Sequence, residues 1–289
     1  MQSIKTNCVL ALTISAAEFN KLLNLCSMYK QTLINATKAG ASELKRFFNG
    51  EFSISHKEGI NNLVTEADHA SDKAILEVIK SAFPDHGIVS EESQEKVSTS
   101  DYRWIIDPID GTVNFANGIP ICCVSIGLEF QGEMWMGAVY NPNLEEFFFA
   151  EKGKGATLND EKISVSDNHR LGTSCLVTGF PYTYLEQANG PLEVFSKLIK
   201  KGIPVRRLGS AAIDLCWVAA GRFDGFYEHE LHAWDSAAGF LMVKEAGGKV
   251  TNLKGGKYDP FQPGIIATNG KIHDELLKVV AGGEVRESL

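Results

Sequence analysis

Trp104-Ile105-Ile106-Asp107-Pro108-Ile109-Asp110-Gly111-Thr112-Val113-Asn114-Phe115 runs an apolar segment into two aspartates set three residues apart. Trp104 to Ile106 has the character of a short buried strand. Pro108 has no N–H for a ladder, so it is expected to end the strand and fix a turn. Sites in α/β sheets lie off the carboxyl ends of strands, which is where Asp107 falls. Two carboxylates this close should not both stay ionised without cations. The economical reading is a site for hard divalent cations, Mg²⁺ first among them. Asp110 is the second carboxylate, and Ile109 would offer its backbone carbonyl. Gly111 lets a ligand approach the backbone closely. Thr112 brings a hydroxyl and could cap a following helix, where amides would suit a phosphate. An ordinary Asx-Pro turn followed by a helix cap fits the same string.

Other segments weigh against that plainer reading. Ile88-Val89-Ser90-Glu91-Glu92-Ser93 is again an apolar pair running into acids. Asn62-Leu63-Val64-Thr65-Glu66-Ala67-Asp68 lies upstream, and Glu228-His229-Glu230-Leu231-His232-Ala233-Trp234-Asp235-Ser236-Ala237-Ala238-Gly239 downstream. Taken singly, Glu91-Glu92 is a solvated loop and Asp68 decorates a helix. Asp235 is the N-cap of a helix from Ser236 to Ala246, closed by Gly247-Gly248. His229 and His232 read as structural.

Together these segments resemble the inositol monophosphatase family, Mg²⁺-dependent and lithium-sensitive phosphatases. The resemblance runs from about Leu22 to Val280. It rests on Asn62-Leu63-Val64-Thr65-x-x-Asp68, Glu91-Glu92-Ser93, the Asp107 to Phe115 motif and Trp234-Asp235-x-Ala-Ala-Gly239. It implies an α/β, layered αβαβα sandwich of the inositol monophosphatase and fructose-1,6-bisphosphatase type. It implies two to three Mg²⁺ ions per site, with Mn²⁺ a possible substitute, held by Glu91, Asp107, the Ile109 carbonyl, Asp110 and Asp235. Asp68 and Thr112 would orient an attacking water beside Glu91. Gly111, Thr112 and Lys57 would bind phosphate, and Asp110, Ser210, Ala211 and Glu228 would face the alcohol. The resemblance further implies a small phosphorylated polyol as substrate, Li⁺ as inhibitor and a homodimer. Ser90 stands where Gly is commoner, a small-for-small departure.

The implied reaction is hydrolysis of myo-inositol monophosphate by metal-activated water, without a covalent intermediate. Fructose-1,6-bisphosphate, 3′-phosphoadenosine 5′-phosphate, histidinol phosphate and NADP are alternative substrates. The Thr-Val-Asn-Phe ending of the long motif is closer to the inositol phosphatases than to the nucleotide branch. A regulatory or interaction protein retaining the fold is the alternative of another class; the intact set of acids argues against a purely non-catalytic role.

The rest of the chain agrees with an enzyme acting on small molecules. Its 289 residues are 44% hydrophobic and 22% charged. Lys and Arg number 28 against 36 Asp and Glu, a net charge of −8, which does not suggest a nucleic-acid-binding surface. Six cysteines, with Cys122-Cys123 inside an apolar run, show no paired framework and favour a reducing, cytoplasmic setting. Cys8 to Ile14 faintly resembles a signal peptide, but the run is short and its basic flank is one lysine. No segment has the ~18 apolar residues that span a bilayer.

Helices are expected over Leu22–Phe48, Ala70–Phe83, Leu192–Lys201 and Ala211–Ala220, and strands over Ile121–Phe130, Glu133–Tyr140 and Glu146–Ala150. Gln131-Gly132 and Asn159-Asp160 read as turns. Gly153-Lys154-Gly155 lacks the surroundings of a Walker loop. Arg206-Arg207 reads as a solvated pair, with a phosphate or subunit contact as the alternative. The expected division is a 1–18 extension, a 19–160 part carrying most ligands, and a 161–289 part carrying Asp235 and Glu228.

Overall fold

Neighbouring residues of one strand, Tyr102–Asp110, serve two different cores, and this alternation organises the molecule. Trp104 and Ile106 join one core and Ile105 the other, as a side-chain period of two requires. The structure is a computed structural model that describes residues 16–48, 50, 53–56, 63–181 and 190–283. Lys57 and the signal-like segment lie outside the described residues.

The chain begins with α1 (Ala16–Phe47), a small antiparallel pair of β1 (Ile54–His56) and β2 (Leu63–Thr65), and α2 (Glu66–Ala82). Seven strands follow: β3 (Gly87–Ser90), β4 (Tyr102–Asp110), β5 (Cys123–Phe130), β6 (Glu133–Asn141), β7 (Glu146–Glu151), β8 (Gly155–Leu158) and β9 (Glu161–Lys162). They form one sheet in that order, parallel at β3–β4 and antiparallel thereafter. The one-turn helix α3 (Thr112–Ala116) links β4 to β5. The later strands are β10 (Leu176–Thr178), β11 (Val205–Arg206), β12 (Gly225–Glu228), β13 (Lys249–Thr251) and β14 (Ile265–Thr268). They make a five-stranded sheet of order β11-β10-β12-β14-β13. Between them come α4 (Pro191–Lys200), α5 (Ala211–Ala219) and α6 (Ala233–Glu245), and after them α7 (His273–Val280).

The layers run as the family resemblance implies. α1 and α2 cover one face of the large sheet, through Leu33, Leu44, Ile75 and Ile79 against Trp104, Ile106, Val124 and Ile126. α5 and α6 fill the space between the sheets. α4 and α7 cover the far face of the small sheet, where Val194, Leu198, Leu276 and Val279 meet Leu176, Tyr227 and Ile266. The result is αβαβα. No helix among the described residues is long and apolar enough to cross a membrane.

Small residues set how close α6 comes to the large sheet. Gly127 of β5 pairs with Gly137 of β6, and Ala237 and Ala238 lie over this pair. A Cβ on Gly137 would stand 3.0 Å from Ala238 Cα. On the helix's other side, a Cβ on Gly239 would meet Leu215 Cβ of α5 at 2.7 Å. Such spacing leaves no room for one more methyl group without a shift.

Four local expectations change. The strand does not stop at Pro108: β4 continues to Asp110, pairing Asp107 with Ser125 and Asp110 with Cys123, and its register shifts between them. The irregularity absorbs the proline, whose missing N–H costs no ladder bond there. α3 is capped by Gly111 rather than Thr112. α6 begins at Ala233, so Asp235 is its third residue and not its cap. α1 begins at Ala16, earlier than Leu22, because nothing in Ala16 to Lys21 breaks a helix.

Candidate active site

Three chain segments meet around the end of β4. The first is the Asp107–Asp110 irregularity itself. Asp107 Oδ1 accepts a 3.0 Å bond from the Ile109 N–H, an Asx turn at the irregularity. Gly111 then adopts a left-handed φ of 92°, and a Cβ there would sit 2.8 Å from the Ile121 carbonyl. Only glycine satisfies both the conformation and the space. Thr112 opens α3 and directs its hydroxyl to the Ile109 carbonyl at 3.0 Å and to Asp68 Oδ1 at 3.3 Å.

Asp68 reaches this point from the first turn of α2. Thr65 caps that helix, taking a bond from the Ala67 N–H, while Asp68 Oδ2 accepts from the Thr65 N–H at 2.7 Å and hydroxyl at 2.6 Å. This reciprocal cap fixes one carboxylate oxygen and leaves the other toward Thr112. Glu91 follows β3, and its N–H bonds to the Ile106 carbonyl at 3.2 Å.

The second half of the chain supplies the remaining walls. Ser210, just before α5, donates to Asp110 Oδ2 at 2.7 Å, and the Ala212 N–H donates to the same oxygen at 2.7 Å. Asn114 bonds the Leu208 carbonyl at 2.7 Å, closing the seam. Asp235 accepts from the His232 N–H at 2.7 Å, as the third residue of a capped helix does. His232 stacks on Trp234. Glu228 ends β12 with its carboxyl lying over Gly179: a Cβ there would be 2.4 Å from both oxygens.

One cavity of about 470 Å³ is lined by Glu91, Asp107, Ile109, Asp110, Gly111 and Thr112, and also by Ser210, Ala211, Glu228 and Asp235. The structure thus brings these sequence-predicted residues together, with Asp68 behind Thr112. Sequence reasoning missed Asp214 and gave Arg207 no assigned place in the site. Both line the cavity, and Arg207, exposed as expected, lies over the Phe180 ring. Asp214 is fully buried, and its Oδ1 has no hydrogen-bond partner among the described residues. Its signal was there to read: it is the only charge in the apolar helix Ala211–Ala219.

The electrostatics are those of buried carboxyls that repel one another. Burial holds the Asp107 carboxyl well above the usual range, and Glu91, Asp110 and Asp235 push it further. Burial raises Asp110 to about 6 despite the bonds from Ser210 and Ala212. Burial likewise takes Asp68 to about 6 against the Thr65 bonds. Asp214 and Glu228 are also held well up by burial, with Arg207 partly opposing the rise at Glu228. Arg207 is the one Lys or Arg among the described lining residues. Among the described residues, no three His, Cys, Asp or Glu side chains are gathered tightly enough to hold an ion as they stand. An ion held among these carboxylates would offset their mutual repulsion. The donors are hard oxygens, which fit Mg²⁺ or Mn²⁺. Free thiols do not compete: Cys122 and Cys123 are buried, with burial raising Cys122 to about 12.

Comparison with known proteins gives consistent matches. The family model described as the inositol monophosphatase family matches residues 26–282. The inositol-1-monophosphatase of Synechocystis is 43% identical over 247 residues, 85% of this chain and 86% of that protein. The Nus factor SuhB of Pasteurella multocida is 39% identical over 246 residues, 85% of this chain and 92% of its own. The solved inositol monophosphatase structure from Anabaena superposes with a TM-score of 0.81 at 38% identity, covering 91% of this chain and 98% of that one.

Proposed function

Because this chain belongs to the inositol monophosphatase family, we propose that it is a Mg²⁺-dependent phosphomonoesterase acting on a myo-inositol monophosphate. The observation that carries this reading is the convergence of Glu91, Asp107, Asp110 and Asp235 on one cavity, with the Thr112–Asp68 pair beside them.

Glu91, Asp107, Asp110, Asp235 and the Ile109 carbonyl would hold two to three Mg²⁺ ions, or Mn²⁺ in their place. Bound there, such ions neutralise a phosphate dianion and lower the pKa of water. The chain's own groups do the rest. Thr112 has one hydroxyl proton; given to Asp68, it leaves the Ile109 carbonyl free and the hydroxyl lone pairs able to orient a water. Asp68 cannot swing away, because Thr65 holds its other oxygen. The Gly111 and Thr112 amides, with Lys57, would bind the phosphate. Ser210 and Ala211 would line the alcohol side, where Glu228 would bond a substrate hydroxyl. Attack by water needs no covalent nucleophile. Inhibition by Li⁺, a homodimer and a cytoplasmic setting belong to the same proposal.

Fructose-1,6-bisphosphate, 3′-phosphoadenosine 5′-phosphate, histidinol phosphate and NADP differ from the favoured substrate in the alcohol and not in the chemistry. Phosphate release from each, with Mg²⁺ and with added Li⁺, ranks them. Fastest Mg²⁺-dependent, Li⁺-inhibited release from inositol 1-phosphate supports the proposal, and preference for another ester replaces the substrate. The relative named Nus factor SuhB supports a second, interaction role. No release from any ester by folded protein would give that role precedence.

A further inference from the structure

Asp68, Ser71 and Asp72 share one face of α2, at the spacing that places side chains side by side. Asp68 serves the site through Thr112. Its two neighbours also reach segments that carry the acidic residues. Ser71 is fully buried and donates to the Pro108 carbonyl at 2.9 Å, within the irregularity that separates Asp107 from Asp110. Asp72 is 5% exposed and has no lysine or arginine on it in the structure's ion pairs among the described residues. Its Oδ1 accepts from Ser90 at 2.5 Å, and its Oδ2 accepts from Ser93. The two donors bracket Glu91-Glu92.

Resting on the function proposed above, we infer that Asp72 is a positioning residue for Glu91. The four-residue strap from Ser90 to Ser93 is pinned at both ends to one carboxylate. Glu91 sits in that strap, and its side chain hydrogen-bonds the Asp107 carboxyl. Ser71 pins the opposite acids to the same helix turn. α2 therefore adds a second constraint on the separation between Glu91 and the Asp107–Asp110 pair, beside the β3–β4 pairing and the Glu91 N–H bond to Ile106. Nothing in this arrangement requires Asp72 to touch substrate.

The test is a double-mutant cycle on Mg²⁺ binding, measured by calorimetry, alongside the Mg²⁺ dependence of phosphate release from inositol 1-phosphate. Asp72→Asn keeps the shape but replaces one acceptor oxygen by an amide donor. It should weaken Mg²⁺ binding and raise the half-saturating Mg²⁺ concentration by about 10-fold or more, as loss of a group that orients a ligand does. Glu91→Gln combined with Asp72→Asn should bind Mg²⁺ no worse than Glu91→Gln alone, because a residue acting through Glu91 has nothing left to position. Ser90→Ala with Ser93→Ala should reproduce the Asp72→Asn effect, and this pair carries the test if Asp72→Asn fails to fold. Additive losses in the cycle, or wild-type Mg²⁺ binding in Asp72→Asn, would overturn the role. If wild type binds Mg²⁺ and releases phosphate while these variants match it, only Asp72 is removed. If wild type does neither, the function falls and this role with it.

Discussion

Ser210 donates a 2.7 Å hydrogen bond to Asp110, across 100 residues of chain. It joins the loop leading into α5 to the last residue of β4, so the two sheets share responsibility for one carboxylate. Asp110 Oδ2 also receives the Ala212 N–H, which holds that oxygen in place from the far side of the seam.

Removing one of those two donors should loosen Asp110 without freeing it. Ser210→Ala is expected to lower kcat/KM for inositol 1-phosphate by about 10-fold, at the low end for groups that orient metal ligands. Steady-state kinetics at saturating Mg²⁺ checks this. Unchanged kinetics would mean that the Ala212 amide suffices.

Glu228 should govern which alcohol is accepted. Glu228→Gln is expected to narrow the difference in kcat/KM between inositol 1-phosphate and fructose-1,6-bisphosphate while leaving Mg²⁺ affinity within about 3-fold. Gly179→Ala should have a similar effect by displacing the carboxyl that lies over it. The same substrate ranking in both variants would take Glu228 out of the pocket.

Crowding around α6 yields a stability prediction. A methyl group at Gly239 meets Leu215 Cβ at 2.7 Å, so Gly239→Ala should cost about 1–3 kcal/mol. Because α6 carries Asp235, Mg²⁺ affinity should fall as well. Denaturant unfolding and calorimetry measure the two effects. A stability within error of wild type would show that the helices part at little cost.

The raised carboxyls make the benefit of Mg²⁺ depend on pH. Asp68 and Asp110 rise from an ordinary value of 3.8 to about 6 through burial. Between these values the folded protein holds protons that the unfolded chain releases, so this contribution is complete below the ordinary value and is lost as pH rises through about 6. On the proposed function, a bound cation would replace those protons. The Mg²⁺-induced rise in Tm should therefore be larger at pH 8 than at pH 5. His273, held at about 4 mainly by burial, acts in the opposite sense as pH falls, losing its stabilisation below the ordinary 6.5. It lies away from the cavity, so it drops out of the comparison with and without Mg²⁺. An equal rise at both pH values would contradict the electrostatic reading.

What the sequence made legible was local. Asp107 and Asp110 stand out because a buried strand, a proline and a glycine confine them to a few ångströms of backbone. The helices α2, α4 and α5 carry long enough apolar periodicity to be read within a few residues. The path of β4 through Pro108 was not legible, because it depends on pairing with Ser125 and Cys123 in another strand. The five strands of the small sheet are two to four residues long, too short for alternation to register. Asp214 and Arg207 acquire their surroundings only when α5 packs beside the end of β12. The Ser90–Asp72–Ser93 strap likewise exists only once α2 lies along β3 and β4.

Phosphate release from inositol 1-phosphate by wild type and Asp110→Asn, over a Mg²⁺ titration that begins in chelator, puts the cation-dependent site at risk in one assay. The proposal predicts release that is absent in chelator, saturates with Mg²⁺, and falls by at least about 100-fold in Asp110→Asn. That variant should stay folded with an unchanged or higher Tm without Mg²⁺, since it deletes a buried ionisable group. Release that survives chelation, or near-wild-type turnover by folded Asp110→Asn, would contradict it.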